Sequence, residues 1–160
     1  MVFSLSGASV RITPLSPDEL EAMLRAKLPD PGVLQDPDTQ LRLRSIISFR
    51  LEAENKGEHD LHFNPDQCRL YHSDEPKGIL VTPLFFTFGR DLSVSESLDI
   101  LANEFAGNNW TLPPGEKAEQ ILAFTMPGSR FQRSYELRIR ELYFGPDAFT
   151  FSANLKQVKR

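Results

Sequence analysis

The clearest pattern in the chain is an alternation of apolar and polar residues that runs from Leu41 to Glu54. Apolar side chains occupy most odd-numbered positions of this segment, and most of the positions between them are charged or small and polar. Successive side chains of a β-strand point to opposite faces, so an alternation with a period of two indicates a half-buried strand. We therefore expect one long strand over residues 41–54.

Four further segments show the same period. Residues 8–15 predict a first strand, in which Pro14 indicates an edge position or the end of the strand. Residues 118–126 become apolar on both faces towards their end, which indicates a central strand. Residues 135–140 alternate, and Leu142 and Phe144 continue with a phase shift that a β-bulge would produce. Residues 149–155 predict a last strand.

Turn residues separate these strands. The segment 55–57 supplies residues that tolerate a positive φ angle, and Leu61 and Phe63 follow it as a short apolar pair. This order predicts a hairpin between the long strand and a returning strand. Residues 68–71 are expected to be extended, and residues 73–78 to form a turn.

Two segments have helical features. Ser16, Pro17 and Glu19 fit the cap, the first turn and the reciprocal hydrogen bond of a capping box, and Pro29 ends the apolar helical face. This predicts a helix over residues 17–28. Residues 95–106 carry apolar side chains at helical spacing and predict a second helix, whereas residues 30–40 are expected to form a polar connection.

The order of elements indicates the fold class. Short strands follow one another without a regular strand–helix–strand alternation, which is typical of antiparallel sandwiches and not of parallel sheets. We therefore expect an all-β fold, an immunoglobulin-like antiparallel β-sandwich with one or two short helices at about 17–28 and 95–106. The length of 160 residues suits a single domain over residues 1–160.

Composition and charge narrow the function classes. The formal net charge is −4, which argues against a nucleic-acid partner. Arg138 and Arg140, near Arg130 and Arg133, are expected to lie on a solvated strand face. No apolar run approaches the roughly 20 residues of a membrane-spanning helix, and the first ten residues lack the features of a signal peptide. We expect a soluble chain.

Motifs for common catalytic chemistries are missing from the sequence. It contains no phosphate-binding Gly-rich loop, no Gly-x-Ser-x-Gly elbow and no His-Glu-x-x-His motif. We therefore expect no enzyme and no cofactor, although a hydrolase with a site dispersed over loops stays open. Cys68 is the only cysteine, and we expect it to be a buried, inert thiol.

One group of residues has metal-ligating chemistry. His59, His62, Cys68 and His72 bring all three histidines and the only thiol of the chain into a short segment, and such ligands suit copper or zinc. The odd spacing of His59 and His62 would direct them to opposite faces of a strand. We therefore favour histidines on a solvated hairpin, with a metal site as the alternative.

The succession of features resembles a known class of proteins. Val10, Ile12 and the segment Pro14–Leu20 precede a Pro-rich link, the long strand ends at Asn55 and Gly57, and Leu112–Glu116 leads into an apolar strand. This order resembles the ectodomains of small bacterial lipoproteins and related envelope proteins with an immunoglobulin-like sandwich. The resemblance implies periplasmic or surface exposure. Such proteins carry a lipidated cysteine directly after their signal peptide, and since this sequence has neither, tethering to a membrane would require an N-terminal lipid anchor removed from it. The resemblance implies no catalytic residues.

These expectations lead to one main functional hypothesis. The chain is expected to be a noncatalytic, envelope-associated binding or structural domain that contacts another protein or envelope macromolecule through a sandwich surface, an edge strand or loops. The helix over 17–28 and the insertion over 89–111 are the expected contact elements. The alternative hypothesis is a copper- or zinc-binding protein that uses His59, His62 and His72.

Overall fold

A computed structural model describes residues 1–5, 7–72, 75–80, 100, 104–105, 109–125 and 134–156. Its strands are β1 (Val2–Leu5), β2 (Ala8–Leu15), β3 (Ile46–Asn55), β4 (Leu61–Phe63), β5 (Cys68–His72), β6 (Glu75–Leu80), β7 (Trp110–Leu112), β8 (Lys117–Thr125), β9 (Ser134–Phe144) and β10 (Asp147–Lys156). Its helices are α1 (Pro17–Lys27) and α2 (Pro37–Ser45), with two short 3-10 helices at Pro31–Gln35 and Pro65–Gln67.

The strands form two sets of antiparallel pairs. In the first sheet, β1, β2, β3 and β8 are neighbours in that order. In the second sheet, β9 pairs with β10, and it also pairs with β5 and β4 over different parts of its length, while β7 pairs with β4. Strand β6 joins the sheets, because it pairs first with β5 and then, at Ile79 and Leu80, with β8.

One hydrophobic core lies between the two sheets. The first sheet contributes side chains such as Ile12, Phe49 and Phe124, and the second contributes side chains such as Phe63 and Leu137. Each of these five side chains is at most 2% exposed. The prediction of a mainly antiparallel β fold with two short helices is therefore confirmed for the described residues.

A second apolar cluster, which we call the helix-side cluster, covers one end of the outer face of the first sheet. It joins Leu20 and Leu24 of α1, Leu43 of α2 and Phe105 to Ile121 and Ala123 of β8, together with Leu28, Leu34 and Ile46. Because Leu122 and Phe124 belong to the core between the sheets, β8 is buried on both faces from residue 121 to 124. The predicted central position of this strand is confirmed, since it lies between β3 and β6.

Helix α1 begins at the predicted capping box. The Ser16 amide donates to Glu19 Oε2 at 2.8 Å, and the Glu19 amide donates to Ser16 Oγ at 3.2 Å. Pro17 occupies the first turn, where its missing N–H costs no helical hydrogen bond. Leu20 and Leu24 point into the helix-side cluster, so the cap and the apolar face act on the same segment.

The first five residues of the predicted long strand form part of a helix instead. Residues 41–45 lie in α2, and the strand begins at Ile46. Asp36 caps this helix by accepting a hydrogen bond from the Thr39 amide at 2.8 Å, and Pro37 occupies its first turn. Leu41 is consequently 70% exposed, whereas Leu43 is buried against the helix-side cluster. The expected polar connection over 30–40 contains a 3-10 helix and the start of α2.

The predicted hairpin after β3 is also wrong. Strand β3 pairs with β2 and β8, whereas β4 pairs with β7 and β9 in the other sheet. The chain therefore crosses from the first sheet to the second after β3. The fully buried side chain of Asn55 stabilises this crossing, because its Nδ2 donates to the carbonyls of His59 at 2.8 Å and Leu112 at 2.7 Å. Its Oδ1 accepts from the Gly57 amide at 3.0 Å.

A close contact between two loops explains why residue 7 is a glycine. A Cβ atom on Gly7, whose φ angle is +95°, would lie 2.5 Å from the Cα of Gly57. The turn between β1 and β2 therefore passes directly against the loop after β3, and the Gly7 carbonyl accepts from the Lys56 amide at 2.6 Å.

Three other predictions have mixed outcomes. The bulge is confirmed, because the β9–β10 register shifts between Phe149 and Phe151 and Glu141 has a φ angle of 55°. The predicted turn over 73–78 is too long, since residues 75–78 belong to β6 and pair with β5. The predicted helix over 95–106 lies mostly outside the described residues; Ile100, Glu104 and Phe105 are helical in the part that is described.

None of the helices in the described ranges is both long enough and apolar enough to cross a bilayer.

The crossing at Asn55 leads to a stability prediction. Asn55→Ala leaves two carbonyls and one amide without their partner, so we expect the free energy of unfolding to fall by about 2–3 kcal/mol. Urea denaturation measures this change. Asn64→Ala is the matched control, because Asn64 Oδ1 accepts one hydrogen bond from the Asp66 amide near the surface, and its removal should cost about 1 kcal/mol or less. Equal losses in the two variants would contradict the role of Asn55.

Candidate functional site

Cys68 lies at the start of β5, opposite Ile139 of β9, and its side chain is 0% exposed. Burial raises the pKa of the Cys68 thiol from its usual 9.0 to about 12, although the Arg69 guanidinium acts in the opposite direction. The thiol is therefore protonated near neutral pH and has no contact with solvent. The prediction of a buried thiol is confirmed.

The structure separates the candidate metal ligands. The His59 ring packs edge-on against Phe144 at 5.9 Å between ring centres. His62 is exposed on β4, and its Nδ1 lies 2.8 Å from Oγ1 of Thr111 on β7. His72 ends β5, and its side chain lies outside the described part. Among the described residues, no three His, Cys, Asp or Glu side chains form a group that could hold a metal ion. The copper or zinc hypothesis gains no support from these positions.

A shallow groove of about 480 Å³ lies on the open half of the outer face of the first sheet. Its charged side chains follow the strand register, since Arg11 of β2, Glu52 of β3 and Glu119 of β8 are direct cross-strand neighbours. In the next row, Lys117 lies 3.0 Å from Glu54. Hydrogen bonds from Lys117 and then Lys56 lower the pKa of the Glu54 carboxyl. Charges of both signs line the groove, so it presents no dominant field to a ligand.

Arg50 lies where this groove meets the helix-side cluster. Its Nε is buried and lies 3.8 Å from a carboxylate oxygen of Glu52 and 3.8 Å from one of Glu119. These distances exceed those of hydrogen bonds, and within the described residues the Nε has no hydrogen-bond partner. The Arg50 guanidinium thus lies between two carboxylates, Glu52 on its own strand and Glu119 on β8. These two ion pairs explain its position without a ligand.

Arginines also occupy the outer face of the second sheet. The Arg138 guanidinium stacks on Tyr71 at 4.1 Å from the ring centre and donates to Glu136 at 2.6 Å, while Arg140 donates to the Tyr71 hydroxyl at 3.3 Å. The hydrogen bond from Arg138 lowers the pKa of the Glu136 carboxyl. The predicted solvated face is confirmed for Arg138 and Arg140, and Arg130 and Arg133 lie outside the described residues.

The free edge of β10 is a different kind of feature. This strand has ten residues and pairs with β9 from Asp147 to Lys156, and no other described strand pairs with it. Between Ala148 and Leu155 it contains no charged residue and no proline. Proteins usually protect a sheet edge with short strands, charges or proline, because unpaired N–H and C=O groups bind other strands. The stretch of β10 from Ala148 to Leu155 lacks these protections.

The other terminal strands of the described sheets offer far less edge. Strand β1 spans four residues and β7 spans three. A strand of three or four residues offers one or two outward-facing donor and acceptor pairs, whereas ten residues offer about five. β10 is therefore the longest edge available for strand addition among the described strands.

Three phenylalanines border this edge. Phe149 and Phe151 lie side by side on the inward face of β10, with their ring centres 6.4 Å apart. The ring centre of Phe3, on β1 of the other sheet, lies 4.5 Å from that of Phe151. All three side chains are only partly buried and pack against the core between the sheets. We call Phe3, Phe149 and Phe151 the phenylalanine rim. It places apolar surface beside unpaired backbone.

The expected contact elements differ from this edge. Helix α1 turns its apolar face into the helix-side cluster, and its outer side chains form ion pairs, Arg25 with Glu21 at 2.7 Å and Lys27 with Glu104 at 2.6 Å. The insertion over 89–111 lies largely outside the described residues. The sequence predicted a strand over 149–155 but not its place in the sheet; the absence of charge from 148 to 155 was the available signal.

The buried thiol leads to a prediction on pH dependence. Unfolding exposes Cys68, which then ionises above its usual pKa of 9.0, whereas the folded thiol stays protonated up to about pH 12. Stability should therefore fall by about 1.4 kcal/mol per pH unit within this window, and be unaffected by this group below it. Urea denaturation at pH 8 and pH 10.5 should show a loss about 2 kcal/mol larger for the unmodified chain than for Cys68→Ala. Parallel losses would contradict the burial of the thiol.

Comparisons with known proteins identify no family for this chain. No family model matches it, and no curated protein matches it. Among solved structures, a FixG-related protein from Vibrio parahaemolyticus is similar at 10% identity, covering 98% of this chain and 99% of the other, with a TM-score of 0.45. The yjhA protein from Bacillus subtilis is 14% identical over 87% and 76% of the two chains, with a TM-score of 0.40. A functionally unknown protein from Listeria monocytogenes EGD-e is 14% identical over 98% and 81%, with a TM-score of 0.48.

Proposed function

We propose that this chain is a noncatalytic, envelope-associated domain that binds another polypeptide by adding a strand to the free edge of β10. The observation that carries this proposal is the eight-residue stretch from Ala148 to Leu155, which has no charge and no proline on an edge that no other described strand covers. Edge strands of this kind bind extended segments through backbone hydrogen bonds.

The edge is held in a binding conformation by its own sheet. β10 pairs with β9 at nine positions, and β9 anchors five side chains in the core between the sheets, namely Tyr135, Leu137, Ile139, Leu142 and Phe144. A strand that is already extended and fixed loses little conformational entropy when a partner pairs with it. The backbone groups of β10 therefore supply affinity at low cost.

The phenylalanine rim supplies the apolar part of the contact. An added strand points alternate side chains to the inward side of the sheet, where Phe149 and Phe151 are only partly buried. An apolar side chain of the partner that covers these rings removes further apolar surface from water, which contributes about 25 cal/mol per Å². The partner segment is thus expected to be extended, with apolar residues at every second position.

The finer fold and the cellular location belong to the same proposal. Two antiparallel sheets that share a core, joined by the crossing at Asn55, support an immunoglobulin-like sandwich. The periplasmic or surface location rests on the resemblance of the sequence to envelope lipoprotein ectodomains. Fractionation of cells that produce the natural full-length gene product tests the location, and recovery in the cytosol would contradict it.

The binding role leads to a cross-linking prediction. A photo-reactive p-benzoylphenylalanine at Thr150, which is exposed on β10, should cross-link to a polypeptide in intact cells. The same group at Thr13, which is exposed on β2 in the other sheet, is the matched control and should give no such product. Mass spectrometry identifies the cross-linked chain.

Two neighbouring proline variants test whether the contact uses the edge itself. In an antiparallel pair, adjacent residues direct their amides to opposite sides, so one of Ser152→Pro and Ala153→Pro removes an outward amide and the other removes a bond to β9. The thermal unfolding midpoint separates them, because loss of the β9 bond lowers it more. The variant that keeps its midpoint should lose the cross-link at Thr150. An undiminished cross-link in that variant would overturn the proposal.

A further inference from the structure

We infer that the polypeptide bound at β10 is a second copy of this chain, with two β10 strands paired antiparallel about a two-fold axis at Ser152. The inference rests on the proposed use of the β10 edge and names its occupant. It predicts a closed dimer, because the same strand serves both chains and each dimer leaves no β10 edge free.

The alternation of side chains restricts where such an axis can lie. A two-fold axis perpendicular to the sheet keeps the inward faces of both copies on the same side. Residues directly opposite each other must therefore share a face, as Phe149, Phe151 and Ala153 do on the inward side of β10. This condition is met only when the axis passes through a residue, and Phe151 and Ser152 are the two central residues of the strand.

Side-chain size favours the axis at Ser152. In that register Phe151 of each copy lies opposite Ala153 of the other copy, and Thr150 lies opposite Asn154. A large ring facing a methyl group packs without collision, and the phenylalanine rim of one copy is covered by the inward face of the other. An axis at Phe151 would instead place two Phe151 rings directly opposite each other, although each already contacts Phe3 at 4.5 Å.

Charge at the two ends of β10 is complementary under the same axis. At its start, Asp147 is exposed. The loop that carries Glu58 and Asp60 lies beside this end of the strand, because the Asp60 carbonyl accepts a hydrogen bond from the Gly145 amide at 3.2 Å. At its end, the last residue of the strand is Lys156, a basic residue. Antiparallel pairing brings the acidic start of one strand to the basic end of the other, twice in each dimer.

The middle of the strand presents no opposing charge. No charged residue lies between Ala148 and Leu155, so self-pairing brings no like charges together although the chain carries a net charge of −4. A self-complementary arrangement of acidic end, uncharged centre and basic end is what an isologous contact requires. Because Asp147 is exposed, its attraction to the basic end of the other strand is screened by salt, and the dimer should weaken as salt is added.

Sedimentation equilibrium of the purified chain tests the inference by a charge exchange at the axis. Ser152→Lys and Ser152→Glu each place two like charges directly opposite each other, and we expect each to raise the dimer dissociation constant at least about tenfold. Mixing the two variants brings opposite charges together and should restore a dimer of nearly the original affinity. Thr13→Lys, on the exposed face of the other sheet, should leave the dissociation constant unchanged.

Each outcome is decisive. Thermal unfolding checks that the variants are folded, and recovery of the dimer in the mixture shows it independently. A chain that stays monomeric at all accessible concentrations, or a dimer that neither single variant weakens, would overturn the inference. If the chain is monomeric and the cross-link at Thr150 reaches a different protein, strand addition at β10 stands and the second copy is excluded. If no cross-link forms and the chain is monomeric, both proposals fail.

Discussion

The structure depends on one constraint, which is that β8 must be covered on both faces. Ile121, Leu122, Ala123 and Phe124 are four consecutive apolar residues, and each is at most 1% exposed. In a strand, two of them face each way, so no single sheet or helix layer can bury all four. The second sheet covers Leu122 and Phe124, and the helices cover Ile121 and Ala123. Both layers are therefore requirements of the same short run.

The remaining architecture follows from this arrangement. Because the helices occupy one end of the outer face of the first sheet, only its other end is open, and charges of both signs line it. The chain must cross between sheets to cover the inner face, and the buried amide of Asn55 replaces backbone hydrogen bonds at the crossing. β10 pairs only with β9 among the described strands, and this position leaves its other edge free of them. Function is therefore proposed at the edge of the fold and not in its core.

Sequence reasoning succeeded where the signal was local. The capping box of α1, the bulge near Glu141 and the two apolar faces of β8 each arise from neighbouring residues. It failed where two local patterns competed, because Leu41 and Leu43 fit a strand period although Asp36 and Pro37 begin a helix. It also failed at the hairpin after β3 and did not find β1 or the free edge of β10, since pairing partners far apart in the sequence decide these features. Of the predicted site residues, Cys68 was placed correctly as a buried thiol, and the histidines could not be located without the sheet register.

The most direct test of this account compares Ile121→Ala with Leu122→Ala by urea denaturation. The two residues are adjacent in β8, are both 1% exposed, and lie in different apolar clusters. If β8 is covered on both faces, each substitution leaves a cavity, and each should lower the free energy of unfolding by about 2–5 kcal/mol. A loss of that size for Leu122→Ala together with a nearly unchanged stability for Ile121→Ala would show that the helices do not cover β8, and would contradict the account.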